Sequence, residues 1–142
     1  MANALNRHEG LHPNRFTPAI VRRDAFGPRR AFRVLVAEAE RGPIVGYAAF
    51  VPGYNTDIAA RDMWMLDLFV QPAWRSRGVG RALVTAVARE AVRRGLPSLE
   101  WGVRSSNTRA LRFYHRLGAR VGQARIASLQ DPALAALASD RR

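Results

Sequence analysis

Read for the spacing of apolar and polar positions, the chain falls into segments of extended and helical character. Thr17 followed by Pro18 is an N-cap and first-turn pair, predicting a short helix over Thr17 to Phe26 that Gly27-Pro28 stops. Two apolar runs, Arg33 to Ala39 (RVLVAEA) and Ile44 to Val51 (IVGYAAFV), flank Glu40-Arg41-Gly42-Pro43 and predict an antiparallel hairpin. After a polar loop around Gly53-Tyr54-Asn55-Thr56 comes Met63 to Val70 (MWMLDLFV), nearly continuous in apolar residues, as expected of a strand covered on both faces. Asp67 is its one charge. From Gly78 to Arg94 the positions Val79, Ala82, Leu83, Ala86, Val87 and Glu90/Ala91 recur at helical spacing, with Arg77, Arg81, Arg89 and Arg93 outside the stripe. Gly95-Leu96-Pro97 ends this helix. Leu99 to Val103 reads as a short strand, and Asn107 to Leu117 as a helix closed by Gly118. Arg120 to Leu129 is expected to supply one or two strands, and Asp131-Pro132 to open a last helix through Ala138.

The strand Met63–Val70, the following Arg/Gly loop, the helix and the strand Leu99–Val103 form a βαβ crossover. The fold class is therefore α/β: a mixed, mostly antiparallel sheet flanked by helices. A central strand pair joined in this way can splay at its ends and leave a slot beside a helix N-terminus. The first 15 residues are polar and carry Gly10, Pro13 and Asn14, so they are expected to be a poorly ordered tail. With 142 residues in all, the remainder, 16–142, is expected to be a single domain.

Composition narrows the chemistry. There is no cysteine, which excludes disulfides, thiolate nucleophiles and Cys-ligated metals. The histidines His8, His12 and His115 form no metal motif, so no metal is expected. The net charge of +12 comes from arginines that are scattered rather than clustered, without the interleaved aromatics of a base-stacking surface. That argues against a nucleic-acid partner and for an anionic small ligand. No apolar run is long enough to span a bilayer and no signal peptide is evident, so no membrane partner and a cytoplasmic location are expected.

The segment from Gln71 to Gly80 lies between the apolar strand and the long helix. Successive backbone N–H groups there, with no side chain at Gly78 or Gly80, make an anion cradle reinforced by the helix dipole, suited to a pyrophosphate. The pattern Arg-x-x-Gly-x-Gly is weak alone. Its placement after a strand and at the opening of an amphipathic helix gives it weight, and it differs from Rossmann and Walker loops.

With these pieces in order, the sequence resembles the GNAT superfamily of N-acetyltransferases over about Phe26 to Ala119. The pieces are Leu66-Asp67-Leu68-Phe69-Val70, Arg75-Ser76-Arg77-Gly78-Val79-Gly80, the strand with Trp101, and the run from Asn107 to Ala119, whose Asn-x-x-Ala-x-x-Phe-Tyr-x-x-Leu-Gly-Ala pattern is the most specific. Phe26-Gly27, Leu35-Val36-Ala37-Glu38 and Val45-Gly46-Tyr47 make it most similar to the diamine, spermidine/spermine and thialysine acetyltransferases. The resemblance implies acetyl-CoA as cosubstrate, held along Leu68, Phe69 and Val70, with backbone groups of Leu68 and Val70 pairing with the pantetheine arm. It implies that the amides of Ser76, Arg77, Gly78, Val79, Gly80 and Arg81 hold the pyrophosphate, that Asn107 hydrogen-bonds the pantetheine, and that Arg75 and Ala110 also belong to the cofactor site. It implies Tyr114 as the acid that protonates the departing CoA thiolate, a role a phenol suits because its pKa of about 10 keeps its proton on at neutral pH. The acceptor would be a small-molecule primary amine: a diamine, a polyamine or an amino-acid side-chain amine. Related acetyltransferases are often dimers, so a homodimer is expected.

The amine needs a proton acceptor, because a group with a pKa of about 10.4 is neutral only about once in 2,500 at pH 7, a penalty of about 4.6 kcal/mol. The polyamine relatives carry Glu-Asp where this chain has Leu66-Asp67, so the usual base is missing. Asp67 is left as a direct acceptor, a water-mediated one, an anchor for a cationic amine, or a buried carboxylate paired with an arginine. Glu38 and Glu100 are weaker candidates, since alternation alone does not say which face each occupies. His115 reads as a solvated side chain and Trp64, Trp74 and Trp101 as packing residues. The family's front strand and helix are replaced by a polar tract, so the domain is expected to be N-terminally shortened, with a different acceptor, a partner-completed pocket, or a start further upstream. The alternative function is a CoA-binding module of the same fold with little or no catalysis.

Overall fold

The computed structural model describes residues 1–12, 14–40, 42–123, 127–130 and 132–139. They group into two compact units, Met1–Arg104 and Ser105–Arg142.

In the first unit the leading residues are helical where a poorly ordered tail was expected: α1 spans Ala2–His8. Seven residues are too few to hold a helix by propensity, so contacts fix it. Asn3 donates from Nδ2 to the Phe16 carbonyl at 2.9 Å and accepts from the Phe16 N–H at 3.1 Å, and Leu5 is buried with Tyr47, Ala49 and Phe69. Gly10 and Pro13, which argued for disorder, lie beyond the helix end at His8. Then α2, Pro18–Val21, starts as the sequence predicts, with Thr17 Oγ1 accepting from the Ile20 N–H at 3.2 Å. It continues as a π-helical turn over Arg22–Phe26.

The sheet has the order β1-β2-β3-β4, with β1 at Arg33–Glu38, β2 at Ile44–Asn55, β3 at Ala60–Val70 and β4 at Leu99–Trp101. The first three strands are antiparallel and β4 joins β3 in parallel, which is the predicted mixed sheet. Two strands run further than the pattern suggested. β2 continues through Pro52 and Gly53 to Asn55, so the predicted polar loop is strand and the turn shrinks to residues 56–59. Pro52 is tolerated because β1 pairs with β2 only as far as Phe50, leaving the rest of β2 open on that side.

After β3 a 3-10 turn at Pro72–Trp74 leads into α3, Val79–Arg93, which lies on the sheet face carrying Gly46, Phe50 and Met65. Its buried residues are Leu83, Val84, Val87 and Ala91. Gly46 is required by this packing: a Cβ there would lie 2.8 Å from the Phe69 carbonyl and 3.1 Å from Leu83 Cδ1. Glu90 ties α3 to β1 through Arg33 at 3.7 Å, and also pairs with Arg93 and Arg94. The opposite face, with Tyr47, Ala49 and Phe69, is covered by α1 residues.

The second unit holds α4, Thr108–Arg116, and α5, Ala133–Ala138. No strand occurs among the described residues of 120–129, and residues 124–126 lie outside them, as does Asp131. Consequently β4, expected as half of a central pair, is an edge strand among the described residues.

Candidate functional site

The register of β2 against β3 breaks between Ala49 and Phe50, which pair with Asp67 and Met65. Leu66 is therefore the extra residue of a β-bulge, and it is 48% exposed. A bulge bends its strand and re-aims the neighbouring side chains. On the other edge, β4 pairs only with Met63, Trp64 and Met65, so from Leu66 to Val70 β3 has no β4 partner. The predicted splay thus begins at the bulge, and among the described residues Leu68, Phe69 and Val70 have no strand partner on that edge.

Asp67 is half-buried on the α1-covered face, where its Oδ2 accepts a hydrogen bond of 3.0 Å from the Tyr47 hydroxyl. Burial holds its carboxyl above the usual carboxylate range, and the Tyr47 bond opposes that rise. Of the readings left open for Asp67, no pairing with an arginine occurs among the described residues, and the partner seen there is a phenol. Tyr47 itself is pushed far above the usual phenol value, chiefly by burial and then by the charge of Asp67, so it stays a proton donor.

The open edge runs straight into the glycine loop. Arg75 donates from Nε to the Val70 carbonyl at 3.0 Å and sets its guanidinium 6.0 Å from the Phe69 ring centre, so it buttresses the turn. Arg77 lies over Trp74 at 5.3 Å. Ser76 and Gly78 both take left-handed backbone, with φ of 63° and 83°. For Ser76 this is a conformation that non-glycine residues seldom adopt. The first helical bond of α3 is from the Ala82 N–H to the Gly78 carbonyl at 2.9 Å, so Val79, Gly80 and Arg81 present N–H groups with no intrahelical acceptor. Gly78 caps the helix with no side chain, and Arg77 and Arg81 are exposed cations beside it. A Cβ at Gly78 would meet no atom within 4 Å. This is a fitting cradle for a diphosphate.

A Gly78→Val variant is expected to lose about 1–2 kcal/mol in urea unfolding from the left-handed backbone, and to bind CoA at least about tenfold more weakly by calorimetry, because a β-branched residue disfavours the backbone that sets the loop ahead of those amides. Unchanged CoA affinity in a folded variant would remove the cradle.

In the second unit, Asn107 caps α4 by accepting from the Ala110 N–H at 3.1 Å. Its carbonyl oxygen and the Ala110 amide are thereby engaged with each other. Tyr114 is 7% exposed, its ring 5.1 Å from that of Phe113. The helix ends where the Ala119 N–H reaches the Tyr114 carbonyl at 3.1 Å.

A family model for the acetyltransferase (GNAT) family matches residues 5–119, a stretch that runs through both units. The chain belongs to the GNAT acetyltransferase family. It is 34% identical over 99 residues to an L-ornithine N5-acetyltransferase of Arabidopsis thaliana, covering 70% of this GNAT chain and 40% of that enzyme. To a thialysine N-epsilon-acetyltransferase of Sus scrofa it is 32% identical over 128 residues, covering 84% and 75%. The chain spans well under half of the Arabidopsis enzyme, and 62% of a second thialysine N-epsilon-acetyltransferase, from Bos taurus. Among solved structures, an integron cassette protein from the mobile metagenome of V. cholerae superposes with a TM-score of 0.78 at 22% identity, over 96% of this chain and 86% of that one. That likeness establishes the fold.

The remaining candidates of this GNAT chain sort by position. Glu38 is exposed at the end of β1, and Glu100 accepts from Asn55 Nδ2. His115 is exposed, and Trp64, Trp74 and Trp101 are half-buried. Tyr47, the partner of Asp67, carries no chemical signal of that contact in the sequence. It is there only a tyrosine within an apolar strand, where a hydroxyl needs a partner once buried. Among the described residues no group of three or more His, Cys, Asp or Glu is placed to hold a metal, and no helix is long and apolar enough to cross a membrane.

Proposed function

We propose that this chain transfers an acetyl group from acetyl-CoA to the primary amine of a small molecule, with an amino-acid side-chain amine favoured over diamines and polyamines. The observation that carries the reading is the continuous run from the β3 edge at Leu66–Val70, which has no β4 partner, into the left-handed loop and the amides of Val79–Arg81, which have no intrahelical acceptor, with Asp67 beside the bulge. The named relatives support the acceptor class, being acetyltransferases of ornithine and thialysine.

In this mechanism Asp67 takes a proton from the acceptor ammonium, directly or through a water. The neutral nitrogen attacks the thioester carbonyl carbon, forming a C–N bond and a tetrahedral oxyanion. As that intermediate collapses the C–S bond breaks, Tyr114 gives its phenolic proton to the thiolate, and the nitrogen's remaining extra proton leaves to solvent; Tyr114 regains a proton from solvent and Asp67 releases to solvent the one it took. The balance is acetyl-CoA plus ammonium giving amide, free CoA thiol and one proton. Because burial raises Asp67, the rate is expected to climb with pH through a region above the ordinary aspartate value of about 3.9.

The test is release of free thiol from acetyl-CoA against a panel of ornithine, lysine analogues, diamines and polyamines. Turnover with amino-acid amines, lost by about 100-fold in Asp67→Asn, supports the reading. A second reading, a CoA-binding module, is favoured by the apolar exposed Leu66 at the bulge. Binding of acetyl-CoA with no thiol release for any amine would establish it instead.

A further inference from the structure

A carboxylate that must meet one particular amine is useful only if it is held still, and Asp67 sits immediately after the bulged residue, where the strand is least regular. What holds it comes from β2. Tyr47 pairs with Phe69 in the register and Asp67 with Ala49, so the Tyr47 hydroxyl reaches diagonally across the strand pair to Oδ2 at 3.0 Å. Tyr47 has little freedom of its own. It is 6% exposed, packed with Leu5, Ala49 and Phe69, and its ring is tilted 39° to that of Phe69 with centres 6.2 Å apart. α1 therefore closes over the tyrosine that fixes the aspartate.

We propose that Tyr47 is a positioning residue, locking Asp67 through one carboxylate oxygen so that the other is presented to the acceptor's amine. The inference rests on the proposed role of Asp67. Tyr47 does not touch the substrate, and it does not act as a base, because burial keeps its own proton on. The charged and titratable groups around this corner are Tyr47 from β2, Glu9 just beyond α1, whose charge bears on Tyr47, and Arg75 over the Phe69 ring. Of these, Tyr47 is the one hydrogen-bonded to Asp67.

The test compares the full-length wild type with Tyr47→Phe, Asp67→Asn and Asp67→Glu, using the amine that turns over best. The phenol bond favours the charged carboxylate, so its loss raises the Asp67 pKa further, and the acid limb of kcat/KM moves to higher pH in Tyr47→Phe. The amine KM rises about tenfold while the acetyl-CoA KM stays near wild type, a split that loss of packing alone does not produce. Should Tyr47→Phe fail to fold, Asp67→Glu gives the answer: the longer arm keeps a carboxylate but breaks the held geometry, so activity falls close to that of Asp67→Asn. An unmoved acid limb and amine KM in Tyr47→Phe, or wild-type activity in Asp67→Glu, overturns the positioning role alone. Wild-type activity in Asp67→Asn overturns the role of Asp67, and this inference with it.

Discussion

Tyr114→Phe is expected to lower the turnover number for thiol release by about 100- to 10,000-fold while leaving acetyl-CoA binding intact. The substitution removes one oxygen from a ring that is 7% exposed and stacked obliquely on Phe113, so the packing volume is nearly conserved. In the proposed mechanism what is lost is the phenolic proton offered to the departing CoA thiolate, a role suited to a group whose ordinary pKa is about 10. The natural control is His115. Successive helical residues point about 100° apart, and His115 is exposed where Tyr114 is buried, so His115→Ala should change neither turnover nor stability by much. A Tyr114→Phe protein that folds, binds acetyl-CoA and turns over at the wild-type rate would reduce Tyr114 to a packing residue and leave the departing thiolate to be protonated by water.

How much of this arrangement is legible in the sequence depends on whether a residue's role is local. Thr17-Pro18, the glycine at 78 and the amphipathic stripe of α3 are local signals, and they place α2, the cradle and the crossover helix. Asn107 is local too, and its capping bond to Ala110 is what an asparagine before a helix predicts. The bulge at Leu66 is not local, because it exists only in the register between two strands, and an apolar residue there reads as one more buried position. For the same reason Tyr47 could be quoted as part of a motif without its role being visible: a hydrogen bond spanning 20 residues leaves no trace in periodicity. The leading helix α1 misled in the other direction. Its composition is that of a tail, and what orders it is long-range: Leu5, with Ala2 and Ala4, packs on the sheet, and Asn3 pairs with Phe16.

Met63→Ala should destabilise the chain by about 2–5 kcal/mol. Met63 has no exposed surface. It shares the α3-facing side of the sheet with Met65 and Phe50, under the buried stripe of Leu83, Val84, Val87 and Ala91. Removing its side chain leaves a cavity that the strand cannot readily close, because Met63 lies between two neighbouring strands, opposite Pro52 in β2 and Leu99 in β4, with its N–H on the Ser98 carbonyl at 3.0 Å. Against a total stability of about 5–15 kcal/mol, such a loss is a large fraction, and the urea midpoint should fall accordingly. Leu66→Ala provides the contrast: a bulged residue 48% exposed should shift the midpoint by no more than about 0.5 kcal/mol. The damage from Met63→Ala should also be uneven. Only three residue pairs hold β4 to β3, and Met63 makes one of them, so amide exchange should accelerate in Leu99–Trp101 before it does in β1. If the exchange rises uniformly instead, β4 is anchored by more than those three pairs, and the splay that opens at Leu66 does not depend on Met63 as its pivot.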